Sequence, residues 1–119
     1  MRSRWSSILF AALCVAIVGC LSPTLPLPPP ATPMQSDGAQ PGTIHLHGVG
    51  VEANALVIIR NNFPNASENL TKQQQVGITL ADGQGVWDAD VFAVKGDTLE
   101  IWQDLGNNDE SPTIDFQVN

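Results

Sequence analysis

Short runs of alternating hydrophobic and polar residues fill the chain from Thr43 to its end. A period of two residues places successive side chains on opposite faces, which is typical of a β-strand with one buried face. Turn-forming residues separate the runs, and no apolar residues recur at helical spacing. The pattern predicts six strands, at 43–49, 55–60, 75–80, 86–94 and 98–105, with a last one carrying Ile114, Phe116 and Val118.

These strands predict an all-β fold, a small antiparallel β-sandwich of about six to seven strands. The alternation also predicts the side chains that meet between the sheets, and Trp87 is the largest of them. The expected core consists of Ile44, Leu46, Val57, Ile59, Ile78, Leu80, Trp87, Ala89, Val91, Leu99, Ile101, Ile114, Phe116 and Val118.

The residues before Thr43 have a different composition. Residues 22–42 contain most of the prolines and show no apolar periodicity. Proline removes a backbone donor and fixes φ, so the stretch favours polyproline II and is not expected to pair in a sheet. We predict a disordered, proline-rich linker over 20–42, able to reach about 60 Å, and the folded domain over 43–119.

The first 19 residues have the pattern of an export signal. Arg2 and Arg4 precede an uncharged apolar run from Ile8 to Val18. That run is about eleven residues long, whereas a membrane-spanning helix needs roughly 20. We therefore predict a signal peptide over 1–19.

The sequence Ile17-Val18-Gly19-Cys20 resembles the lipobox of bacterial lipoproteins. This resemblance implies lipidation of Cys20 and attachment to a membrane in the cell envelope. Leu21 follows, whereas lipoproteins kept at the inner membrane commonly carry aspartate there, so the resemblance favours the outer membrane of a diderm cell. An ordinary secretory signal with a chance cysteine is the alternative. Because Cys14 would leave with the signal, no thiol would remain for a disulfide or a nucleophile.

Three motifs in the domain occur in a suggestive order: Val51–Ile59, then Ala81-Asp82-Gly83-Gln84-Gly85-Val86-Trp87, then Val94-Lys95-Gly96-Asp97-Thr98-Leu99. Together they resemble the short bacterial immunoglobulin-like domains of cell-surface proteins and lipoproteins. Carboxypeptidase-regulatory-like and transthyretin-like sandwiches share much of this pattern, so the choice between these topologies stays open. The resemblance implies extracytoplasmic binding, spacing or adhesion rather than catalysis.

Charge narrows the choice of partners. Residues 20–119 carry three basic residues, Arg60, Lys72 and Lys95, against all 12 acidic residues, a formal charge of −9. Such a surface repels nucleic acid and anionic headgroups. We therefore expect no nucleic-acid partner, and we expect membrane attachment through acyl chains.

Two clusters have the residue types of metal sites. His45 and His47 share one face of a strand, and with a carboxylate they could bind zinc or copper. Asp104, Asn107 and Asp109 place oxygen ligands in one turn, which suits calcium, although their spacing departs from the EF-hand pattern. Solvated polar positions explain both clusters equally well.

Catalytic motifs are lacking from the sequence. Asp88 and Asp90 share a polar strand face and could in principle act as an acid–base pair. A solvated face predicts the same residues, and no nucleophile elbow, phosphate loop or metalloprotease motif occurs. We expect neither enzyme activity nor a cofactor.

Two aromatic residues are candidates for a partner surface. Trp102 is expected to face outward, opposite Leu99 and Ile101, and Phe63 lies in a long polar loop. Either residue could also be covered by the linker or the loop. The sequence thus suggests a membrane-anchored lipoprotein whose non-catalytic sandwich binds an envelope protein or polysaccharide, or serves as an accessory subunit. The alternative is an extracytoplasmic domain that binds calcium or a transition metal.

Overall fold

The computed structural model describes residues 26–63 and 70–119, which form seven β-strands and no helix. These strands are β1 Met34–Asp37, β2 Thr43–Gly48, β3 Leu56–Phe63, β4 Val76–Leu80, β5 Trp87–Phe92, β6 Thr98–Asp104 and β7 Ile114–Gln117. The all-β prediction is therefore confirmed. No helix able to cross a bilayer occurs in the described part of the chain. The predicted signal peptide and the lipidation of Cys20 lie outside the described residues.

The strands form two antiparallel sheets, as expected for a small sandwich. One sheet has three strands in the order β1-β2-β5, and the other has four in the order β4-β3-β6-β7. Side chains alternate between buried and partly exposed along β2 and β6, which is the period of two seen in the sequence. Twelve of the fourteen predicted core residues are buried in the core or packed against it.

Trp87 fills the core at one end of the three-stranded sheet. Its side chain is only 1% exposed, and Gly48 on β2 is its cross-strand partner. A Cβ atom at Gly48 would overlap the indole ring. The missing side chain at Gly48 therefore makes room for the tryptophan.

The prediction that Ile78 and Leu80 belong to the core is wrong. They are 64% and 62% exposed, and Gly77 and Thr79 occupy the inward positions of β4. The reason is steric, because a Cβ atom at Gly77 would lie 2.8 Å from a methyl carbon of Val91 on β5. Only a small residue fits at that inward position, so the larger aliphatic side chains of β4 point outward.

The prediction that residues 22–42 are an unpaired linker is wrong for Met34–Asp37. These residues form β1, which pairs with β2 in the register Met34–His47 to Asp37–Ile44. The sheet therefore begins nine residues before Thr43. No proline follows Pro33 until β1 has ended, so the backbone donors of β1 are available for pairing.

The segment before β1 also contacts the domain. Leu27 is buried, and the carbonyl of Pro28 accepts a 2.7 Å hydrogen bond from Gln103 Nε2. Gln103 Oε1 in turn accepts a 2.8 Å bond from the backbone N–H of Glu52. Gln103 is fully buried on β6, and its amide joins this segment to the sandwich.

Candidate functional site

The outer face of the three-stranded sheet carries a cluster of histidines and aspartates. The register of β2 and β5 places His45 opposite Asp90 and His47 opposite Asp88. Asp88 Oδ1 lies 2.9 Å from His45 Nε2 and 2.8 Å from His47 Nδ1. His45 Nδ1 lies 2.7 Å from Asp90 Oδ1. One carboxylate oxygen thus bridges the two imidazoles.

This geometry favours the charged forms of His45 and Asp88. Both nitrogens of His45 face carboxylate oxygens, and both can donate only when the ring is protonated. The hydrogen bonds to Asp88 and then Asp90 raise the pKa of His45 above 6.5. The hydrogen bonds from His45 and then His47 hold the pKa of Asp88 below 3.8. All four side chains are substantially exposed, so solvent weakens these ion pairs.

The carboxylates of Asp88 and Asp90 lie beside His45 and His47, as the metal hypothesis requires, but the side chains are not arranged to bind a metal ion. Sequence alone could not show that Asp88 and Asp90 converge on the histidines, because strand pairing brings them there. Among the described residues, however, no group of three or more His, Cys, Asp or Glu side chains is placed to hold a metal ion. The cluster is a hydrogen-bonded network in this structure.

The residues predicted as calcium ligands have structural roles in the turn after β6. Asn107 and its neighbour Asn108 have φ values of 53° and 63°, a left-handed conformation that asparagine adopts more readily than most residues. Asp104 Oδ1 accepts a 2.7 Å hydrogen bond from the N–H of Gly106, and the Asp109 carbonyl accepts one from the N–H of Leu105. These polar residues shape the turn that leads away from β6.

The outer face of the three-stranded sheet also contains a serine that the sequence analysis missed. Ser36 on β1 is the cross-strand partner of His45, so Ser36, His45 and Asp90 lie in one row. These are the residue types of a hydrolytic triad, but His45 Nε2 faces Asp88, and no Ser36–His45 hydrogen bond forms in the described part of the chain. The row therefore lacks the contact that would let His45 act as a base on Ser36.

The outer face of the four-stranded sheet is largely hydrophobic. Leu80 lies opposite Leu56, and Ile78 lies opposite Ile58, whose other cross-strand neighbour is Trp102. We call this surface the apolar face; it comprises Leu56, Ile58, Val76, Ile78, Leu80 and Trp102. Four of these residues are 40% to 64% exposed. Contiguous exposed apolar surface of this kind is typical of interaction sites.

Trp102 lies on the outer face of the four-stranded sheet, as predicted, and Arg60 partly covers it. The guanidinium carbon of Arg60 lies 5.3 Å from the indole centroid, within the range of a cation–π contact. Arg60 Nη2 also donates a 2.9 Å hydrogen bond to Glu100, which holds the pKa of that carboxyl below 4.5. The ion pair marks the polar boundary of the apolar face.

A shallow cavity of about 230 Å³ adjoins this boundary. It is open to solvent and lined by Arg60, Trp102, Glu110, Ser111 and Thr113. The segment after the β6 turn therefore lies beside Trp102. For Phe63 the backbone belongs to β3, but its side chain lies outside the described part of the chain, so its place in a partner surface stays a prediction.

Comparison of the chain with known protein families, with curated proteins and with solved structures found no match. The resemblance to immunoglobulin-like or transthyretin-like domains therefore stays a prediction. Sequence reasoning missed most of the apolar face, because the alternation along β4 predicted that its aliphatic side chains face inward.

Proposed function

We propose that this protein is a membrane-anchored lipoprotein whose β-sandwich is a non-catalytic binding module. The observation that carries the proposal is the apolar face, on which Ile78 and Leu80 are more than 60% exposed. Burial of apolar surface contributes about 25 cal/mol per Å², so covering these side chains would favour association. The apolar face is the contact surface in this proposal.

The chemistry of the apolar face favours a protein partner over a polysaccharide. Its members are branched aliphatic side chains except for Trp102, which Arg60 already partly covers. Sugar rings pack against open aromatic planes and need nearby hydrogen-bonding groups. Aliphatic side chains offer neither, whereas they pack well against other aliphatic side chains.

The anchor in this proposal is Cys20, the last residue of the lipobox-like sequence. Leu27 is already buried against the domain, so only residues 20–26 separate the lipid from the folded part. Seven residues span at most about 25 Å when fully extended. The domain would therefore lie close to the membrane, well within the 60 Å expected of a free linker.

The anchor is tested by expressing the full chain in a bacterial host that is fed a clickable fatty acid. The unaltered chain is expected to take up the label and to sediment with membranes, and Cys20→Ser is expected to do neither. Cys14→Ser is the matched control and should be labelled like the unaltered chain. Absence of label on the unaltered chain would remove the lipoprotein part of the proposal.

The contact surface is tested in the same cells with a photo-crosslinking amino acid at single positions. Position 78 samples the apolar face, and position 117, an exposed site on β7 of the same sheet, is the control. Discrete crosslinked bands are expected from position 78 and not from position 117. Equal or absent crosslinking at both positions would contradict the assignment of the apolar face.

A further inference from the structure

Strand β4 differs from every other edge strand that the structure describes, because it carries no charged residue. The two sheets have four edge strands, β1, β5, β4 and β7. Three of them carry aspartate: Asp37 in β1, Asp88 and Asp90 in β5, and Asp115 in β7. Charges on edge strands discourage pairing with another chain, and β4 (Val-Gly-Ile-Thr-Leu) has none. Its edge is the one suited to accept a further strand.

The hydrogen bonds at both ends of the β3–β4 ladder show which backbone groups face this edge. The N–H of Asn61 donates to Gln75 at 2.8 Å, and the N–H of Ala81 donates to Ala55 at 2.8 Å. Both are directly opposed pairs in the antiparallel register, so the bonded pairs recur at every second residue. Gly77 and Thr79 therefore bond to β3.

The alternate residues, Val76, Ile78 and Leu80, direct their N–H and C=O groups away from β3. Of these groups, the N–H of Val76 is used by a 3.4 Å bond to the carbonyl of Gln73. Within residues 26–63 and 70–119, no hydrogen bond is formed at the open edge by the backbone of Ile78 or by the N–H of Leu80. The free groups are thus centred on Ile78.

We propose that the occupant of this edge is a second copy of the chain, paired antiparallel with β4 about a two-fold axis at Ile78. This inference rests on the proposed binding function and names its partner. The two Ile78 residues would exchange two hydrogen bonds, and each Leu80 N–H would donate to the Val76 carbonyl of the other copy. These four bonds do not need the N–H of Val76, which is already in use.

The side chains suit the same arrangement. Opposed residues in an antiparallel pair lie on the same face, so Ile78 would meet its own copy and Val76 would meet Leu80. The outer sides of these residues, now open to water, would each gain an aliphatic neighbour. The four-stranded sheets of the two copies would join into one eight-stranded sheet. No charged residues would face each other across β4, because β4 has none.

The expected strength of the contact depends on the area that it buries and on the net charge of the two copies. Pairing of five-residue strands buries much less than the roughly 1,200 Å² of a stable complex, so association in solution should be weak. Anchoring both copies to one membrane would raise their effective concentration. Residues 20–119 carry a formal charge of −9, so two copies repel, and added salt should strengthen the contact or leave it unchanged.

Disulfide trapping in membranes of cells that express the full chain tests the pairing. Ile78→Cys places its Cα about 5.5 Å from its counterpart, within the reach of a disulfide. Leu56→Cys lies one strand further in, so its counterpart is at least three strand spacings, about 14 Å, away. Gln117→Cys samples the opposite edge, and the unsubstituted chain gives the background from Cys14 and Cys20.

After mild oxidation, Ile78→Cys should form about tenfold more homodimer than either control variant, consistent with the distance limit on disulfides. Its yield at 500 mM salt should equal or exceed that at about 50 mM. Resistance of each variant to limited proteolysis confirms that the substitutions leave the fold intact.

Four outcomes would overturn the inference. Dimer yield from Ile78→Cys no higher than from Gln117→Cys removes the pairing, and a dominant dimer from Leu56→Cys indicates face-to-face packing instead. A disulfide between position 78 and a different protein, especially one lost at high salt, identifies a foreign partner and leaves the proposed binding function standing. Absence of any conjugate here, together with no crosslinks from position 78, would remove both.

Discussion

His45 and Asp88 face each other across β2 and β5, with Nε2 of the histidine 2.9 Å from Oδ1 of the aspartate. The same oxygen also contacts His47, and the second nitrogen of His45 contacts Asp90. Because the contact between His45 and Asp88 is strongest when the histidine is cationic and the aspartate is anionic, this pair makes the stability of the domain depend on pH.

The first prediction concerns the titration of His45. Its pKa is expected above 6.5, because hydrogen bonds to Asp88 and Asp90 favour the imidazolium. Asp88→Asn removes the larger of these contributions and should lower the pKa of His45, and Asp90→Asn should lower it less. NMR titration of the imidazole protons measures this directly. A His45 pKa unchanged by Asp88→Asn would show that the contact does not persist in solution.

The second prediction concerns stability against pH. His45 has a raised pKa, so its contribution is complete below about 6.5 and is lost as the pH rises through the folded-state value. Asp88 has a lowered pKa, so its contribution is present above about 3.8 and is lost as the pH falls through its folded-state value. The ion pairs therefore stabilise the fold most between about pH 4 and 6.5.

Exposure limits the size of this effect to less than about 1 kcal/mol. The measurement is urea denaturation across this range for the unaltered chain and for Asp88→Asn. The difference between their free energies of unfolding should be largest near pH 5 and should shrink above the His45 pKa. A difference that is constant with pH would exclude the ion pairs as its cause.

The third prediction concerns Gln103, whose side chain is fully buried. Gln103→Ala removes the part-buried hydrogen bonds to the Glu52 N–H and the Pro28 carbonyl, and at about 0.5–1.5 kcal/mol for each bond the two contribute about 1–3 kcal/mol. The free energy of unfolding should fall by about that amount, and the segment around Pro28 should become sensitive to protease. Gln117→Ala, on the exposed side of β7, is the matched control and should change neither.

The fourth prediction separates the two tryptophans of the domain. Trp87→Ala empties a buried site in the core and should cost roughly 3–5 kcal/mol, measured by chemical denaturation. Trp102→Ala removes a partly exposed ring beside Arg60 and should cost clearly less. If both substitutions were equally destabilising, Trp102 would be acting as a core residue rather than as part of a surface.

Much of this fold could be predicted from the alternation of side chains, because local sequence determines which residues share a strand face. Alternation alone does not determine which face is inward. The aliphatic residues of β4 were expected inside, yet the closeness of Val91 to Gly77 reverses the strand. That contact joins residues fourteen positions apart on different sheets, and no period in the sequence reveals it.

The same limit applies to the candidate sites. The histidine pair was visible in the sequence because His45 and His47 are two residues apart. Their partners Asp88 and Asp90 are more than forty residues away, and only the pairing of β2 with β5 brings them within 3 Å. Strand β1 was missed because prolines dominate the composition of the residues around it. Ser36, which belongs to β1, was missed with it.

The fifth prediction separates the contact role of Ile78 from its role in folding. Ile78→Lys replaces a side chain that is already mostly in water, so the free energy of unfolding should change by no more than about 0.5 kcal/mol. The lysine also adds a charge to β4, which alone among the described edge strands has none, and crosslinking between copies from a photo-crosslinking residue at position 80 should disappear. Ile59→Lys is the matched control on the neighbouring strand, where burial of an unpaired charge should unfold the domain. A strongly destabilised Ile78→Lys would mean that β4 needs its aliphatic face for folding, and the exposed side chains would then have no bearing on binding.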